Sequence, residues 1–235
     1  MTTRMRLFPL NAVLFPGAAL NLHVFEARYK QLVAECLESG EGFGVVLIRE
    51  GKEAGDPSIE PHDIGTLAEI VGVAPLPLGR FYLSAVGRQR FHIRRILKRE
   101  PYLTADVDLI PERLQEENLE EIVQSACDAF AEYDALVVEF TGRDRSMELS
   151  EEPDAASFAI ADALQVGDAV KQRLLEFDTP RARLTAELAL LRRLLPRLRE
   201  LLDRRAIELE TRRERGADKH RSDQERHFGK YFSAN

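Results

Sequence analysis

The sequence predicts an α+β protein, with a small, partly closed β-barrel first and a helical lobe after it. Three features carry this. Up to about residue 112 the apolar residues fall in short runs bounded by Gly, Pro and polar clusters, as strands do. One stretch in that half, Phe25 to Leu37, repeats its apolar residues at helical spacing instead. Beyond residue 112 helical spacing takes over. The expected division is 1–112 for a barrel of about six strands with one packed helix, 113–210 for a helical subdomain, and 211–235 for a polar tail that frays.

The chain opens MTTRMRLFPLNAVLFPG, with Leu-Phe-Pro at 7–9 and again at 14–16. Proline cannot donate to a sheet ladder, so Pro9 and Pro16 belong at a strand end or a turn. Pro16-Gly17 carries the type II signature, because the third turn position needs φ > 0. A second apolar segment, Ala18 to Val24, follows. In the helix after it, Phe25, Tyr29, Leu32, Val33, Cys36 and Leu37 share one face, and Gly40 ends it. Gly44 to Ile48 (GVVLI) reads as a strand covered on both faces, and Arg49 to Pro61 as a polar loop. Thr66 to Val73 is the next strand. Arg80 to Val86 and Gln89 to Ile96 read as two strands with a hairpin-like join at Gly87-Arg88. Tyr102 to Ile110 alternates, with Leu103, Ala105, Val107 and Leu109 on one face.

The helical half begins with a stripe from Leu114 through Leu119, Val123, Phe130 and Val137 to Phe140, ended by Thr141-Gly142-Arg143-Asp144-Arg145. Glu116, Glu117, Glu120 and Glu121 form a solvated acidic run near that helix's start, where the macrodipole favours them. Pro153-Asp154, Gly167-Asp168 and Asp178-Thr179-Pro180 mark three further helix starts. The last helix places Leu184, Leu188, Leu191, Leu195, Leu198 and Leu202 at heptad spacing, with Leu190, Leu194 and Leu201 widening the face. That seam suits internal packing, or a homodimer. Pro196 lies inside it and predicts a kink or a break.

At 235 residues and 44% hydrophobic content the chain has a sizeable core, and no apolar run is long enough to cross a bilayer. Cys36 and Cys127 read as buried free thiols in a reducing, cytoplasmic compartment. His23, His62, His92, His220 and His227 lack metal-ligand spacing, and His23 reads as half-buried in its strand. Ser84 and Ser157 lack a nucleophile-elbow context, and no phosphate-binding G-x-x-x-x-G-K-[ST] occurs. No catalytic residue, metal or cofactor is therefore expected.

RLFPLNAVLFPG, FEARYKQLVAECL, GVVLIRE, DIGTLAEI and LPLGRFYLSAVGRQRFHI together resemble the N-terminal LON domain of Lon-type ATP-dependent proteases, a PUA-like barrel. The Gly65-Thr66 pair and Val86-Gly87-Arg88-Gln89-Arg90 are the most specific parts of that resemblance. SFAIADAL and VKQRLLEFDTPRARL resemble the helical bundle that follows the barrel in Lon. The resemblance runs over about residues 5–205 and omits the ATPase and protease modules. It implies a stand-alone, non-catalytic protein that binds unfolded or flexible protein segments, with a protease or chaperone as a further partner.

Two features are candidates for that binding. The connection Pro75-Leu76-Pro77-Leu78-Gly79 either tucks its leucines away or offers them as an apolar patch. Leu76, Leu78 and Phe81 would form an apolar wall with Phe25 behind it. Strict alternation puts Arg88, Arg90, His92 and Arg94 on one strand face, where Arg88 and Arg90 would steer acidic flanks of a peptide. The alternatives are an RNA-binding module using that basic face, and an assembly element using the leucine seam. The net charge of −7 and the thin aromatic interleaving argue against nucleic acid.

Overall fold

A computed structural model describes residues 2–51, 58–111, 118–142 and 149–229, with side chains up to residue 208. Lys52, Leu114, Glu116, Glu117, Arg143, Asp144 and Arg145 lie outside the described residues. Seven strands and five α-helices occur among those described: β1 Thr2–Leu10, β2 Ala19–Val24, α1 Ala27–Ser39, β3 Phe43–Glu50, β4 Glu60–Pro61, β5 Ile64–Leu76, β6 Arg80–Lys98, β7 Thr104–Leu109, α2 Glu120–Thr141, α3 Pro153–Ala163, α4 Asp168–Glu176 and α5 Pro180–Gly229. The α+β class stands.

The sheet runs β1-β7-β6-β5-β3-β4, and β1 also pairs with β3, so five strands close on themselves. The β1–β3 pairing is parallel and the other contacts of the ring are antiparallel. β2 lies on the outer part of β6. Closure leaves two apolar cores. One, with Leu7, Val46, Phe91, Ile93, Ala105 and Val107, includes inward residues of the ring. The other packs α1 onto the sheet through Tyr29, Leu32, Val33 and Cys36 against Phe8, Phe43 and Leu83. The Phe8 and Tyr29 rings stack at 3.9 Å. Burial raises the Cys36 thiol to about 11, and both cysteines are free.

The sequence motifs acquire physical reasons. The Ala18 amide donates to the Phe15 carbonyl at 3.1 Å with Gly17 at φ 83°, which is a type II turn. That turn is tied to β6 twice: Gly17 N–H donates to Gly87 O (2.8 Å) and Gly87 N–H to Ala18 O (2.9 Å). A Cβ on Gly87 would stand 2.2 Å from Phe15 O. Gly65 allows β5 to approach β3, since a Cβ there would lie 2.3 Å from Val45 O. The buried Thr66 hydroxyl donates to Leu14 O at 2.6 Å and anchors the chain just before the turn.

Three expectations are corrected. Gly87-Arg88 is no hairpin, because β6 is one 19-residue strand passing straight through it. The β5–β6 hairpin turns at Pro77–Gly79, within the Pro75–Gly79 connection picked from sequence. Phe25 is not on the helix, which starts at Ala27 with Glu26 as its cap residue. Of the kink or break expected at Pro196, the break does not occur, since α5 continues through it over 50 residues.

By internal contacts the chain forms two compact units, 1–128 with 147–189, and 129–146 with 190–235. These do not follow the change of grammar near residue 112. The first unit holds the whole sheet, α1, α3, α4 and the start of α5. The second holds the end of α2 and the rest of α5, with Arg199 paired to Glu132 and Arg205 donating to Phe140 O.

Candidate peptide-binding surface

β5 and β6 form a long hairpin whose tip is the turn Pro77-Leu78-Gly79. Leu78 has φ 64° and ψ 31°, in the left-handed region, and Gly79 also has φ 64°. Glycine adopts that conformation freely, whereas leucine pays about 1 kcal/mol for it. Leu78 is nonetheless 86% exposed. An apolar side chain held in strained backbone and turned to water at a hairpin tip stabilises nothing within the described fold.

The register fixes what surrounds it. Directly paired residues share a face, so Ala74, Tyr82 and His23 lie in one row across β5, β6 and β2. Tyr82 is 54% exposed and His23 is also exposed, which corrects the half-buried placement expected for this histidine. The His23 ring stands 5.3 Å from Tyr82 and 5.7 Å from Phe25, and Phe25 is 57% exposed. In the next row Val24 is buried and Phe81 half-buried against the α1 core, while Pro75 at its β5 end is exposed. Val73 pairs with the buried Leu83, so it belongs to the opposite face from Tyr82, although 40% exposed there. A groove of about 220 Å³ opens beside Phe25, between β1, β2 and α1, over Phe8, Leu10, Leu22 and Tyr29.

Of the residues picked from sequence, Leu78 and Phe25 are exposed on this surface, and Leu76 and Phe81 are half-buried at its base. Arg88 is exposed but paired with Glu69 at 2.5 Å. Arg90 is fully buried, which removes it from any outer face. Its guanidinium donates to Leu175 O (2.7 Å) and Phe177 O (2.6 Å) at the end of α4 and lies 5.5 Å from the Phe158 ring centre. Arg183 covers the same ring at 3.7 Å and donates to Leu174 O and Ser157 Oγ. Arg90 thus joins barrel to helices. Tyr82 and His23 were missed. Only the β2–β6 register brings Tyr82 and His23 together, and no local pattern shows it.

A larger hollow of about 460 Å³ lies between the Pro16–Ala19 turn and α3. Small side chains line it, its one large residue, Phe158, is buried, and Asp154 already pairs with Arg183 at 3.5 Å. The hairpin surface is the stronger candidate. Among the described residues no group of three or more His, Cys, Asp or Glu side chains is placed to hold a metal, and no helix is long and apolar enough to cross a membrane.

A family model for the ATP-dependent protease La (LON) substrate-binding domain matches residues 4–193. The chain is 31% identical over 173 residues to a Lon protease of Porphyromonas gingivalis, covering 71% of this chain and 20% of that protein. It is 25% identical over 216 residues to Lon protease 2 of Syntrophobacter fumaroxidans, covering 86% of this chain and 27% of that protein. It therefore spans about a fifth to a quarter of these curated relatives, in their N-terminal part. Among solved structures, a Lon N-terminal domain protein from Xanthomonas campestris matches with TM-score 0.59 and 27% identity, covering 80% of this chain and 98% of that one. The N-terminal domain of a Mycobacterium avium complex Lon protease shares the fold, with TM-score 0.56 over 80% of this chain and 98% of that one at 16% identity. Sequence motifs, ring-closed sheet and family match agree, and the chain belongs to the Lon substrate-binding domain family.

Proposed function

We propose that this protein binds flexible or unfolded polypeptide segments without chemically altering them, and presents them to a protease or chaperone. The observation that carries this reading is Leu78, 86% exposed in a left-handed backbone at the hairpin tip, beside exposed Phe25 and Tyr82. Folding gains nothing from that arrangement. A docked apolar segment would gain about 25 cal/mol per Å² of apolar surface removed from water, before the cost of ordering it. Family membership supports the same reading, since the matched domain is described as substrate-binding.

The RNA alternative loses its basic track. Arg88, Arg94, Arg95 and Arg99 each face an acidic side chain, at 2.5, 2.5, 2.9 and 2.6 Å.

The double change Leu78→Ser with Phe25→Ser tests the proposal. Binding to a permanently unfolded, labelled polypeptide is expected to weaken about tenfold or more, while the thermal melt stays within a few degrees of wild type. Unchanged binding with an unchanged melt would refute it.

A further inference from the structure

We infer that the hairpin tip selects apolar segments carrying a carboxylate next to the apolar anchor, supplied by an acidic side chain or a free C-terminus. This rests on the proposed binding surface and specifies its ligand. Three cations lie around that surface: Arg28, Lys30 and Arg80. One is already neutralised. Arg28 pairs with Glu26 at 2.9 Å and lies 4.5 Å from the Tyr29 ring centre. The other two flank Leu78. The Lys30 amine stands 3.8 Å from where a Cβ on Gly79 would sit. The Arg80 Nε donates to Pro77 O at 3.1 Å, which folds its guanidinium back over the turn. Neither Lys30 nor Arg80 forms an ion pair with a described carboxylate.

The consequence is a matter of sign. A segment laid over Leu78 displaces water from the two half-buried cations beside it. A neutral segment leaves them with poorer solvation and no counter-charge. A basic segment adds repulsion, and a carboxylate replaces the lost water with a charge-assisted hydrogen bond. The order of preference is acidic over neutral over basic, and salt weakens it because both cations reach solvent. An RNA strand would also bring anions, but bases stack on aromatic rings and gain little from an exposed leucine, and a backbone needs more than two free cations to follow.

The test uses the full chain and fluorescein-labelled peptides with one Leu/Phe core, read by fluorescence anisotropy. Amidated peptides carry Asp, Ser or Lys beside the core. A further Ser peptide carries a free C-terminus immediately after it. The Asp peptide is expected to bind roughly three- to tenfold tighter than the Lys peptide at low salt, with the gap closing in high salt. The free C-terminus is expected to raise the affinity of the Ser peptide toward that of the Asp peptide. No gain would overturn the free-C-terminus half of the inference. Lys30→Glu with Arg80→Glu should reverse the order, and Lys30→Met with Arg80→Met should erase it, so that a folding defect in one pair does not end the test. Equal affinities for the Asp and Lys peptides, still abolished by Leu78→Ser, would overturn the charge selection and leave the apolar site standing. Binding indifferent to Leu78→Ser would overturn both. Displacement of the peptides by single-stranded RNA at the same salt would overturn the selection by assigning the two cations to phosphate.

Discussion

Glu187 sits wholly buried one helical turn after Arg183, and neither of its carboxylate oxygens has a hydrogen-bond partner among the described residues. Burial holds its pKa well above the usual carboxylate range, and Arg183 only partly opposes this. The sign of the linkage follows. The unfolded chain releases this proton near pH 4.3, while the folded chain keeps it to higher pH, so the residue costs stability as pH rises, by about 1.4 kcal/mol per unit until the folded group ionises. Glu187→Gln removes the titration and keeps the shape. In urea unfolding it is expected to match wild type near pH 4 and to exceed it at higher pH, up to the pH at which the folded carboxyl ionises. Parallel stability curves for the two proteins would show that Glu187 ionises normally. Nothing in the sequence marks this residue, because Arg183 and Glu187 at i, i+4 on a charged helix read as a solvated pair. Arg90 was misread for a related reason. Strict alternation places it opposite the inward Phe91, on the outer face of the strand, but only the packing of the α4 end and Phe158 onto that face buries it, and nothing in the strand's own pattern shows that cover.

At the scale of elements, a glycine inside a strand pattern marks either a turn or a close approach of two backbones, and sequence cannot choose between them. At Gly87 the close approach wins, with Phe15 O occupying the space of a side chain. Gly17 is the opposite case, with open space around it but φ 83°. The two therefore make a matched test. Gly87→Ala must push the Pro16 turn off β6 and break its two hydrogen bonds, a loss of roughly 3 kcal/mol or more. Gly17→Ala meets only backbone strain, about 1 kcal/mol. Chemical denaturation of both variants is expected to rank them in that order, and equal losses would show that the turn and β6 are not coupled. The other elements were legible to the extent that they were periodic. The α1 face of Tyr29, Leu32, Val33 and Cys36 and the proline-marked starts of α3 and α5 follow from local chemistry. The closure of β1 onto β3 and β7 does not, since strand pairing at a distance leaves no local mark.

For the molecule as a whole, the leucine seam decides between internal packing and self-association. Leu184 and Leu191 are fully buried, and Leu188, Leu195, Leu198 and Leu202 are half-buried. Up to residue 208, the large apolar side chains of α5 that remain exposed are Leu201 at 48% and Ile207 at 63%. Two such residues fall far short of the roughly 800 Å² per partner that a stable dimer needs, and scattered apolar residues of this kind are ordinary on monomers. We therefore expect the heptad spacing to serve packing within the chain rather than self-association. Leu191→Asp places a charge in a dry site and is expected to cost several kcal/mol, seen as a large fall in melting temperature. Leu201→Asp is expected to leave both the melt and the sedimentation coefficient unchanged over a wide range of concentration. A concentration-dependent mass above 26.6 kDa that Leu201→Asp returns to the monomer value would instead make the outer leucines an interface.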